Sequence, residues 1–67
     1  MEGRYDSQII DKTIAKLREG DFAYLIIVQE LTRIGVGQHE AEEVADTAQG
    51  MSNEEAEDYI RTFLEAV

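Results

Sequence analysis

Sixty-seven residues, a formal net charge of −9, 43% hydrophobic content and no cysteine or proline describe one small acidic domain. The missing cysteines exclude disulfides and thiolate metal sites, and the charge disfavours nucleic acid and anionic membrane, both of which present dense negative charge. A chain this short buries only about 60% of the surface its unfolded form exposes, so its stability margin is thin.

The first residues, Met1-Glu2-Gly3-Arg4-Tyr5-Asp6, carry neither a basic region nor an apolar one of the kind a secretory signal needs. The longest apolar run, Phe22 to Val28, is seven residues, against the roughly 20 that span a bilayer. The expectation is a soluble cytoplasmic protein. Its charge is unevenly placed. Residues 1–37 carry six acids against five bases, whereas residues 38–67 carry nine acids against Arg61 alone. General salt adaptation would spread the acids more evenly.

Gly20, Gly35 and Gly50 divide the chain into four segments of helical length, and glycine commonly closes a helix from the left-handed conformation. The first helix is predicted over about 7–19, with Asp6 or Ser7 as N-cap. Ile10, Ile14 and Leu17 form its apolar stripe, flanked by Ile9 and Thr13. Lys16 and Arg18 complement the exposed carbonyls of its last turn, and Gly20 takes the position just past its end. The second helix is predicted over about 21–34, opening on Asp21. Ala23, Tyr24, Ile27, Val28, Leu31 and Ile34 share one broad face, while Phe22, Leu25 and Ile26 fall on the other side. Its first turns are therefore apolar nearly all round, as in a central helix or a contact surface. Gly35 closes it, with Val36 placed for the accompanying hydrophobic contact. A second reading stays open, because the heptad spacing of Ile10, Ile14, Leu17, Tyr24, Val28 and Leu31 runs through Gly20. On that reading the first two segments form one bent helix, since an interior glycine costs only about 1 kcal/mol.

The third helix is predicted over about 38–49, with the small residues Ala41, Val44, Ala45 and Ala48 inward, so it should lie close against the second. The fourth, over about 53–66, opens on Ser52 and Glu55, the pattern of a capping box. Its apolar face is Ala56, Tyr59, Ile60, Phe63, Leu64 and Val67, which implies a docked C-terminal end. The fold class is an all-α bundle of four short helices forming a single domain over residues 1–67.

Residues 31–36 followed by a helix have the outline of a helix-turn-helix. The second helix of that motif enters the DNA major groove. Here it would present Glu40, Glu42, Glu43 and Asp46 with no Lys or Arg, and phosphate repulsion defeats that use. A different likeness is carried by Ile34-Gly35-Val36 at a loop, by Ala41, Val44 and Ala45 in the next helix, by Gly50 in a turn, and by Ala56, Tyr59 and Ile60 in the last. This pattern, over about residues 28–64, resembles the ubiquitin-associated (UBA) domain family. The chain departs from it in having Ile and Val where the family's loop carries Met and Phe, a turn about one residue longer, and an extra helix in front. The resemblance implies a small three-helix core in the second to fourth helices, used to bind other proteins.

His39 with Glu40 and Glu43 offers one imidazole and two carboxylates, whereas a hydrolytic zinc helix needs a second histidine. An exposed histidine on a solvated helix is the expected outcome, and no cofactor is implied. Ser7 and Ser52 serve as helix caps, and with one histidine and no cysteine there is no nucleophile–base pair to propose. No enzyme is expected. What remains is a partner-binding protein. The candidate contact residues are Phe22, Leu25 and Ile26, as an apolar patch for a symmetric homodimer, and Glu42, Glu43, Asp46, Glu54, Glu57 and Asp58, as a docking face for a basic protein surface. Three uses follow: a protein–protein interaction module, an acidic inhibitor imitating nucleic acid, or a subunit of a larger assembly with its N-terminal half covered.

Overall fold

The computed structural model describes residues 4–67, and among these every regular element is an α-helix. Helix α1 spans Ser7–Glu19, α2 Tyr24–Arg33, α3 Gln38–Ala48 and α4 Asn53–Ala66. No helix among the described residues is long and apolar enough to cross a membrane.

The Asp6 carboxylate accepts the Ile9 N–H at 2.9 Å, which starts α1, and Ile10, Thr13, Ile14 and Leu17 face the interior. The end of α1 differs from the sequence expectation. Gly20 has φ −96°, not the left-handed value. The left-handed residues are Asp21 at 57° and Phe22 at 54°. The Asp21 N–H donates to the Arg18 carbonyl at 3.0 Å and the Phe22 N–H to that of Leu17 at 2.9 Å. This is the Schellman pairing, with Asp21 where glycine usually stands. Asp21 therefore closes α1 and does not cap α2, whose N-cap is Ala23 without a side-chain hydrogen bond. The single-bent-helix reading falls with it, because residues 20–23 turn the chain. Gly20 is needed for a different reason, since a Cβ there would lie 2.9 Å from two side-chain carbons of Ile26.

The end of α2 follows the expected chemistry. Gly35 adopts φ 100°. Its N–H donates to Thr32, and that of Val36 to Leu31, both at 3.0 Å, with Leu31 and Val36 buried together in the core. Helix α3 ends one residue earlier than expected, with Gln49 as its C-cap. Ser52 and Glu55 form the expected capping box, their side chains bonding each other's backbone N–H at 3.2 and 3.1 Å.

Each helix packs on two others. Helix α1 lies against α2 and α4, and α3 lies against α2 and α4, so the four close a ring around one core. The α2–α3 pair is the most extensive, as the inward Ala41, Ala45 and Ala48 allow. Ile14, Leu17, Ile27, Leu31, Ile60 and Leu64 are the largest fully enclosed side chains. Burying each contributes about 1.5–3 kcal/mol relative to exposure. The antiparallel α1–α4 pair is crossed by two ion pairs of opposite sense, Arg18–Glu57 at 2.6 Å and Arg61–Asp11 at 3.0 Å. The Arg4 N–H donates to the Val67 backbone oxygen at 2.7 Å, so the two ends of the described chain meet. Tyr5, absent from the sequence-derived core, is only 7% exposed.

Candidate docking surfaces

The apolar triplet expected on α2 does not form a patch. Phe22 is 4% exposed and belongs to the core, because the left-handed turn at Asp21 and Phe22 swings its ring inward instead of continuing the helix. Ile26 is half-buried against Gly20. Leu25 alone stands out, 74% exposed. A symmetric dimer face built on all three is therefore corrected to one exposed leucine.

The acidic residues separate into distinct groups. Glu40, Glu43 and Asp46 on α3 rim a groove of about 420 Å3 between α3 and α4, with Val44, Thr47, Tyr59 and Phe63 as its remaining lining. Val44 is buried and the two aromatic rings are half-buried, so the floor is apolar. Tyr59 and Phe63 are one helical turn apart on α4, at the edge of its inward stripe, where helical periodicity alone does not separate them from core residues. His39 Nε2 lies 3.1 Å from a Glu43 oxygen and is 88% exposed on its side chain, a solvated histidine as expected. Among the described residues no cluster of three His, Asp or Glu converges as metal ligands would.

Glu42 faces elsewhere. It accepts from Gln38 at 2.7 Å and, with Asp46, acts on Tyr24 of α2. Partial burial, reinforced by these two carboxylates, pushes the Tyr24 phenol above its ordinary range. Glu54, Glu55, Glu57 and Asp58 gather around Arg18 in a separate polar cleft. Arg18 donates through Nε and one terminal nitrogen to the two oxygens of Glu57 at 2.9 and 2.6 Å. These hydrogen bonds hold the Glu57 carboxyl below the usual carboxylate value. Glu57 is thus a structural partner of α1, whereas Glu43, Asp46, Glu54 and Asp58 remain exposed.

A second groove, of about 250 Å3, runs between α1 and α2 and has the opposite character. Ile9, Thr13 and Ile34 lie in it, and Lys12, Lys16 and Arg33 stand around them with Glu30. Arg33 reaches Glu30 at 3.3 Å, while Lys12 and Lys16, one helical turn apart, make no ion pair among the described residues. Along the chain Lys16 belongs to the end of α1, and Arg33 joins it only through the α1–α2 packing. Compared with known proteins, the chain matches no family model, no curated protein and no solved structure.

Proposed function

We propose that this protein is a protein–protein interaction module whose α3–α4 groove receives a cationic amphipathic segment of its partner. One observation carries the reading: a single groove is lined by the apolar Val44, Tyr59 and Phe63 together with the carboxylates of Glu40, Glu43 and Asp46. An amphipathic helix with Lys or Arg beside its apolar stripe satisfies both halves. Its side chains cover the half-buried rings, and its charges meet the rim, where they raise the association rate and fix orientation. The UBA-like outline of residues 28–64 belongs to this proposal, since it implies protein binding by α2–α4. Imitation of nucleic acid fits less well. It needs a continuous row of free carboxylates, and Glu57 is occupied by Arg18.

The test is an NMR titration of the labelled protein with two designed amphipathic peptides of equal apolar content, one lysine-rich and one glutamate-rich. The lysine-rich peptide should shift Val44, Thr47, Tyr59 and Phe63, and the combined Glu43→Gln/Asp46→Asn substitution should weaken that binding several-fold. Equal response to both peptides, or none from these four residues at millimolar peptide, overturns the assignment.

A further inference from the structure

The two grooves are complementary in charge and alike in having apolar floors, and they occupy opposite sides of the helix ring. The acidic one lies between α3 and α4, and the basic one between α1 and α2. The ring order, in which α1 packs on α2 and α4 but not on α3, fixes this separation. We infer that a second copy of this chain is an occupant of the α3–α4 groove, and that the copies join head to tail. The α1–α2 face of one copy, with Lys12, Lys16 and the Glu30-paired Arg33 around Ile9 and Ile34, seats on the α3–α4 face of the next. The inference rests on the groove reading above and names the partner.

The chain's charge distribution supports this pairing over like-to-like contact. Two α3–α4 faces brought together would oppose Glu40, Glu43 and Asp46 to themselves, and two α1–α2 faces would oppose Lys12, Lys16 and Arg33. Only the unlike pair sets cations against carboxylates while covering Ile9, Tyr59 and Phe63. A contact between two different faces leaves one face free on each outer copy, so growth continues into a ring or an open chain instead of stopping at a symmetric dimer. The net charge of −9 opposes association at long range and keeps it weak at low concentration.

The experiment uses two neutralised proteins, Lys12→Gln/Lys16→Gln/Arg33→Gln and Glu40→Gln/Glu43→Gln/Asp46→Asn. All six positions are exposed, and circular dichroism verifies that both variants keep their helices. Sedimentation velocity of the unsubstituted chain, raised from micromolar to millimolar, should show mass growing past the dimer. Each variant alone should remain a monomer. Their equimolar mixture should stop at a one-to-one dimer, since each supplies the face the other lacks. A mixture that stays monomeric, an unsubstituted chain that stops at dimer, or variants that associate alone would each overturn the head-to-tail contact. The two proposals fail separately. A monomeric chain whose Val44, Tyr59 and Phe63 still respond to the lysine-rich peptide sinks self-association and keeps the groove, whereas silence in both sinks both.

Discussion

Replacing Gly20 with alanine distinguishes two reasons for a glycine at the end of α1. The backbone there, φ −96° and ψ 12°, is open to any L-residue. Considered through the unfolded chain alone, alanine would stabilise by about 0.4–1 kcal/mol. The tertiary structure reverses the sign. An alanine Cβ would lie 2.9 Å from both Cγ1 and Cγ2 of Ile26 and 3.3 Å from its Cβ. These are inner atoms of a β-branched side chain, stiff about its first torsion, so relief requires α2 to move away from α1. Overpacking of this kind costs about 1–3 kcal/mol, which leaves a net loss of about 1.3 kcal/mol at the midpoints of the two ranges. In a domain of this size that lowers Tm by roughly 5–10 °C. Thermal and urea unfolding followed by far-ultraviolet circular dichroism measure it. Ile26→Ala should cost less in the Gly20→Ala background than in the original chain, because the two changes share one contact and do not add. Asp21→Gly should move the other way. It relieves a left-handed L-residue, a cost of about 1–2 kcal/mol, against about 0.5–1 kcal/mol for the added backbone freedom. A Gly20→Ala protein that melts higher than the original, or strict additivity with Ile26→Ala, refutes the close-approach explanation.

Two further outcomes test the placement of side chains. Phe22→Ala should cost about 3–5 kcal/mol, as for other enclosed aromatics, whereas Leu25→Ala should stay within about 0.5 kcal/mol; similar losses in urea unfolding would contradict the inward turn of Phe22. The second concerns Glu57, whose carboxyl is held low by Arg18. A folded value below the unfolded one means that the stabilisation is present above the unfolded carboxylate range, about pH 4.3, and fades as pH falls through the lowered folded value. The stability difference between the original chain and Glu57→Gln, measured by urea unfolding from about pH 6 to about pH 3, should therefore narrow on acidification. A difference that holds constant or widens rules out the pairing as its source.

The acidic residues show how far the sequence reaches toward a site. Their concentration after Gln38 is visible by counting. Their separation is not. Glu43 and Asp46 share a groove with Tyr59 and Phe63 because α3 and α4 pack side by side, and Glu57 leaves the acidic face because α1 brings Arg18 to it across 39 positions of sequence. The basic groove was equally hidden, since Lys12 and Lys16 meet Arg33 only where α1 and α2 touch.

Local chemistry determined the four helices. Apolar periodicity, the Asp6 cap, the Ser52–Glu55 box and the Gly35 ending each act within one helical turn, so the residues that make them are neighbours in the chain. The break between α1 and α2 was decided at longer range. Gly20 suggested the left-handed position by its identity, yet that conformation passed to Asp21 and Phe22, because the core takes the Phe22 ring and Ile26 needs the space above Gly20. Two left-handed L-residues together cost about 2–4 kcal/mol, which the burial of Phe22, about 3–5 kcal/mol against alanine, offsets, and no local rule reports which side chain the core will claim.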